Sequence, residues 1–135
     1  MELSGNADMF GIMKAVQNIE NGIAETEFAL SARRVLQLAT SEGARSMGLA
    51  DKIGSLKAGK RADLIMVSTH GINLGVFGDP AHMLVTATEP ANVDTVVVDG
   101  RILKRNGKVT ALNVQQIVQD AAAASVALRK RANWL

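Results

Sequence analysis

The spacing of apolar positions changes its period twice along the chain, and each change marks a different kind of structure. Met9, Ile12, Met13, Val16 and Ile19 recur at helical intervals and predict a helix over residues 8–22 with one buried stripe, stopped at Asn21-Gly22. Ser31 is placed to cap a second helix whose apolar face is Val35, Leu36, Leu38 and Ala39. Thr40-Ser41-Glu42 offers a fresh cap for a restarted helix, and Gly48 suits a left-handed C-terminal cap. From Asp51 the helical period is lost. Ile53 to Leu56 reads as a short extended piece, and Lys57 to Lys60 as a tight turn. The run Ala62-Asp63-Leu64-Ile65-Met66-Val67 is almost continuously apolar, as in a strand covered on both faces. A glycine-containing loop follows from Ser68 to Asp79, then an apolar stretch over residues 81–88 that periodicity assigns to neither helix nor strand.

Val93 to Val98 is rich in β-branched residues and ends at Asp99-Gly100, the strongest short hairpin signal. Arg101 to Lys104 is the return strand, and Asn106-Gly107 supplies a second two-residue turn into Lys108 to Thr110. Asn113 can then cap a closing amphipathic helix, with Val114, Ile117, Val118, Ala121 and Val126 expected to face inward. No internal repeat or linker interrupts this order of helices, strands and a last helix.

Composition narrows the class. The 135 residues are 47% hydrophobic, which excludes a disordered chain, but only 3% aromatic, so the core must be aliphatic. The absence of cysteine removes disulfides and thiolate metal sites. No apolar run is long enough to span a bilayer and no secretory signal is visible, so a cytoplasmic location is expected and no membrane partner. A formal charge of +2 is nearly balanced, and the one compact basic cluster, Arg129-Lys130-Arg131, closes a predicted helix where cations complement its dipole. No nucleic-acid partner is therefore expected.

Candidate chemistry is sparse. Gly54 to Lys60 has the spacing of a phosphate-binding loop, GxxxxGK, but Arg61 stands where Ser or Thr should reach a magnesium ion, and a strand follows instead of a helix. His70 and His82 are twelve positions apart and form no paired ligand motif, so no metal ligand is assigned. There is no GxSxG elbow. Ser4 and Asn6 lie in a polar segment that could line a substrate, or simply lead into a helix. Asp63, at the entrance to an apolar strand, is placed to orient a loop by accepting backbone hydrogen bonds. The residues alone describe an α+β domain with no self-contained active site.

Spaced motifs add a family. Ala39-Thr40-Ser41-Glu42-Gly43-Ala44-Arg45-Ser46-Met47-Gly48-Leu49, followed by Ile53-Gly54-Ser55-Leu56-Lys57-Ala58-Gly59-Lys60-Arg61-Ala62-Asp63-Leu64-Ile65, resembles the C-terminal signature of metal-dependent amidohydrolases. Val93 to Arg101 resembles the next motif, VxxVxVDGR, of the chlorohydrolase, cytosine deaminase and adenosylhomocysteine deaminase branch. Asp79 to Val85 is similar to its DPxxHLV segment, and Asn6-Ala7-Asp8-Met9-Phe10 to the N-x-D-M-F run soon after the last barrel strand. The likeness covers nearly the whole chain.

The resemblance implies a (β/α)8 barrel with one zinc or iron ion at the C-terminal ends of its strands, bound by an HxH pair, a third His and an Asp. It also implies a small heterocyclic substrate, hydrolysed at a C–N or C–halogen bond by metal-activated water. Almost none of that catalytic set maps here: the His and Glu residues lie earlier in the family's order, and the metal Asp precedes the loop holding Ser4 and Asn6. What the resemblance leaves is an α+β fragment with no cofactor ligand of its own: terminal barrel helices over 1–50, part of a composite β-sandwich over 51–112, and a closing helix over 113–135. Such a piece is expected to be inactive alone, with Ser4 and Asn6 as substrate-loop candidates, and to form homo-oligomers through its uncovered edges. The alternative is a non-catalytic module that self-associates or binds a partner.

Overall fold

A computed structural model describes residues 7–134. The elements are α1 (Met9–Ile23), α2 (Ala32–Gln37), a π-helical turn (Leu38–Glu42), α3 (Gly43–Ser46), β1 (Leu64–Val67), α4 (Pro80–Thr86), a 3-10 turn (Pro90–Asn92), β2 (Val93–Val98), β3 (Arg101–Arg105), β4 (Lys108–Val109) and α5 (Val114–Arg131).

The helical layer forms around one small aliphatic core. Asp8 caps α1 by accepting from the Phe10 amide at 2.9 Å, and the α1 stripe brings Met13 against Ala32, Val35 and Val85. Phe10, Leu30, Leu36 and Ala39 pack around that cluster. The expected stop at Asn21-Gly22 falls inside the helix, which runs on to Ile23. Asn21 instead stitches the following turn, donating to the Glu27 carbonyl at 3.0 Å and accepting from the Leu30 amide at 2.8 Å. Ser31 caps α2 as expected, accepting from the Arg34 amide at 3.3 Å.

The predicted restart at Thr40-Ser41-Glu42 does not occur. The backbone stays helical and widens by one residue into the π turn, with no capping side chain. Thr40 and Ser41 turn back instead, donating to the Leu36 carbonyl at 2.7 Å and the Gln37 carbonyl at 3.5 Å. Back-bonding of this kind competes with capping. Gly48, at φ +70°, ends α3 in the left-handed conformation expected for it.

A single antiparallel sheet follows in the order β1-β2-β3-β4. Asp99-Gly100 (φ 50° and 76°) and Asn106-Gly107 (φ 50° and 73°) have positive φ at both central positions, matching the twist of the strands they join. The stretch over 81–88 resolves as α4, with Asp79 as N-cap at 3.1 Å and Pro80 in its first turn. Residues 53–56 form no strand.

Two burial expectations fail. β1 is not covered on both faces, since Ile65 and Met66 remain 50% and 56% exposed. α5 forms with its Asn113 cap, but none of its residues is buried, and Val114, Ile117, Val118 and Val126 stay 48–62% exposed. Their periodicity is amphipathic, yet no described element covers them. No described helix is long and apolar enough to cross a membrane.

Candidate functional site

The main concavity lies between the helical layer and the sheet, an open cleft of about 1000 Å³. Met13 of α1, Ala44 of α3, Leu64 of β1, Met83 of α4 and Val96 of β2 contribute to its apolar walls, while Thr40, Ser55, Asp63 and Lys104 are polar groups on it. Such a surface receives apolar groups. Thr40, Ser55, Asp63 and Lys104 bond to backbone groups or to Lys60 and not to one another, so these four form no nucleophile–base pair.

The π turn and the loop after α3 set one wall. Gly54, at φ +83°, sits so close to the helix that a Cβ there would lie 2.6 Å from Ala44 Cβ and 3.0 Å from the Thr40 carbonyl oxygen. Only glycine satisfies both the backbone angle and the approach. Beside it, Glu42 binds Arg45 at 2.8 Å and Arg34 at 3.4 Å. The hydrogen bond from Arg45, followed by that from Arg34, holds the Glu42 carboxyl below the usual carboxylate range.

In the GxxxxGK segment the lysine is engaged by the chain's own oxygens. Lys60 Nζ donates to the Ala50 carbonyl at 2.5 Å, the Ile53 carbonyl at 3.1 Å and Ser55 Oγ at 2.8 Å, which uses all three of its protons. Arg61 lies 3.7 Å from Asp99, and β1 follows. Asp63 takes the role its position suggested: Oδ1 accepts from the Asp99 amide at 2.6 Å, tying the start of β1 to the β2–β3 turn.

Ser4 and Asn6 lie outside the described residues. His70 and His82 are both exposed. Among the described residues no group of three His, Cys, Asp or Glu side chains stands together as a metal-binding set. The donors present therefore do not fit the zinc or iron of the resemblance.

Sequence reasoning missed one polar cluster. Asn73 Nδ2 donates to the Ala87 carbonyl at 3.0 Å and to Asn92 Oδ1 at 2.9 Å, and Asn92 Nδ2 returns a bond to Asn73 Oδ1 at 3.1 Å. Asn92 Oδ1 also accepts from the Glu89 amide at 2.9 Å, so the pair locks the 68–79 loop to the start of β2. Two asparagines nineteen positions apart leave no local pattern to read.

A family model described as "Amidohydrolase family" matches residues 4–103. A 5-methylthioadenosine/S-adenosylhomocysteine deaminase of Moorella thermoacetica is 37% identical over 114 residues, covering 84% of this chain and 27% of the relative. A solved structure of an adenosine deaminase from Xanthomonas campestris with bound zinc superposes with a TM-score of 0.86 at 25% identity, over 90% of this chain and 28% of that one. The atrazine chlorohydrolase of Arthrobacter aurescens complexed with zinc gives 0.77 at 27% identity, over 84% and 25%. The chain thus spans about a quarter of the length of these proteins.

Proposed function

The chain belongs to the amidohydrolase family, and from that premise we propose that it serves as the C-terminal supporting part of a hydrolase acting on a C–N or C–halogen bond of a small heterocyclic substrate. Residues 1–50 would be terminal barrel helices, 51–112 part of a composite sandwich and 113–135 its closing helix. Support for the substrate class comes from relatives named for adenosine-type and triazine substrates. The metal ligands and proton-transfer groups would lie on the remaining part of the fold, and no catalytic step is assigned to the described residues.

One observation carries the reading. The chain exposes 10282 Å² at a mass of 14.3 kDa, where a self-contained globule of that mass exposes roughly 6,800 Å². The surplus of roughly 3,500 Å² exceeds what one partner contributes to an interface of standard size, about 800 Å². Apolar side chains left exposed on β1 and along α5, among them Ile65, Met66, Val118 and Val126, form part of that surface. Their apolar character matches surfaces that belong inside a larger fold.

The test is complementation. The chain alone, given zinc, is expected to release no ammonia from 5-methylthioadenosine or S-adenosylhomocysteine. Co-expressed with the complementary part of the Moorella thermoacetica relative, it should co-purify and restore ammonia release. Zinc-dependent turnover by the chain alone would sink the proposal, and so would failure to associate. A second reading, a self-associating or partner-binding module, draws on the same uncovered surface. It would be favoured if the chain forms defined homo-oligomers and ignores the complementary part.

A further inference from the structure

The GxxxxGK stretch of the family signature has no chemical role in the proposed function, and its lysine has an unusual environment. Residues 52–61 form a closed loop: the Arg61 amide donates to the Lys52 carbonyl at 2.9 Å, and the Lys60 amide to the Lys57 carbonyl at 3.1 Å. Beside this neck, the Ala50 and Ile53 carbonyl oxygens and the Ser55 hydroxyl converge on the Lys60 ammonium at 2.5, 3.1 and 2.8 Å. Converging oxygen dipoles repel one another unless a cation lies among them, as in the carbonyl rings that replace an ion's hydration shell. All three partners are neutral oxygens, so this is an ion–dipole cage and not an ion pair.

We propose that residues 50–60 form a monovalent-cation cage whose resident cation is the ammonium of Lys60, and that its charge, not its aliphatic stem, sets the loop. Each of the three N–H groups meets one oxygen, so the ammonium satisfies its own donors and neutralises the convergence of acceptors in one contact. The consequence reaches the cleft. Ile53, Gly54, Ser55 and Leu56 lie on its wall, and two of the three cage oxygens belong to Ile53 and Ser55. Lys60 is thus a positioning residue for the surface that meets the rest of the fold. Because the cage is closed by the chain's own atoms, this inference stands whether or not the hydrolase reading survives.

The test compares Lys60→Met, which keeps the stem and removes the charge, with Lys60→Ala, which empties the cage. Hydrogen exchange of the full chain is followed by mass spectrometry over residues 52–61, with peptides from α1 and β2 as internal references. Lys60→Met should exchange about tenfold faster in the loop, the scale of one lost charge-assisted hydrogen bond, with the reference peptides unchanged. In Lys60→Ala, ammonium or potassium chloride should slow the loop again, while choline chloride at the same ionic strength should not. Unchanged exchange in Lys60→Met overturns the proposal. So does equal recovery with choline, which would mark a general salt effect, or no recovery with either small cation.

Discussion

Replacing Gly54 with alanine tests the joint between helix and loop on which one wall of the cleft depends. Two costs add there. A side chain at φ +83° carries the penalty of a left-handed backbone, about 1–2 kcal/mol. The new methyl would also stand 2.6 Å from Ala44 Cβ and 3.2 Å from Ser41 Cα, and forcing the neighbours apart costs typically about 1–3 kcal/mol. Gly59 is the internal control, since it has φ +87° but nothing within 4 Å of a built Cβ. Gly54→Ala should therefore cost about 3 kcal/mol and Gly59→Ala about 1–2 kcal/mol. Urea denaturation followed by circular dichroism resolves them: at a slope of about 2 kcal/mol per molar, the midpoints fall by about 1.5 M and about 0.5–1 M. Adding Ala44→Gly to Gly54→Ala should recover part of the packing cost, a coupling that a double-mutant cycle isolates. Equal midpoints for the two single variants would refute the close approach, because the backbone term is common to both.

Two further variants test the polar ties. Asp63→Ala removes the acceptor of the Asp99 amide and should cost about 1–2 kcal/mol in the same denaturation assay, with faster exchange at Asp99, while Asp63→Asn keeps an acceptor and should recover part of the loss. Glu42 has its pKa lowered in the folded chain by Arg45 and Arg34. Its contribution is therefore present above its unfolded pKa and is lost as pH falls through the folded one. Urea midpoints measured down an acidic pH series should fall less steeply in Glu42→Gln than in the parent, and parallel curves would contradict the linkage.

What the sequence disclosed follows the range of the forces involved. Ser31 and Asn113 cap their helices where the sequence placed them, and the two hairpin turns fall on Asp99-Gly100 and Asn106-Gly107. Each is decided within a few residues, by one side-chain oxygen or one positive φ. The π turn is different: Thr40-Ser41-Glu42 is locally a good cap. Whether it caps or bonds backwards depends on whether the helix is held continuous by Ala44 and Gly54, which are packed from outside that stretch. Burial fails as a local inference for the same reason. The patterns of β1 and α5 state what those elements are made to cover, and the covering surface is absent from the described residues.

The family likeness is strong where chemistry is weakest, and the structure gives a reason. Residues in the recognisable motifs are there for geometry: Ala44 and Gly54 for close approach, Gly48 and Gly59 for positive φ, Lys60 for the loop cage, Asp63 for the tie to Asp99, and Asp99-Gly100 for the hairpin. Each role admits few residue types, so together they make a pattern that is legible in the sequence. None of these roles asks a side chain to transfer a proton or hold a metal, and Ser4 and Asn6, the two substrate-loop candidates, lie outside the described residues. On the proposed reading the described residues frame the site, and the reacting groups lie on the remaining part of the fold. The roughly 3,500 Å² of surplus surface is the complementary fact, because a frame is recognised by what it leaves uncovered. If the complementary part of a relative buries the cleft and restores turnover, the signature residues act on catalysis only by holding that wall in place. Gly54→Ala should then impair assembly before it impairs the rate per assembled enzyme.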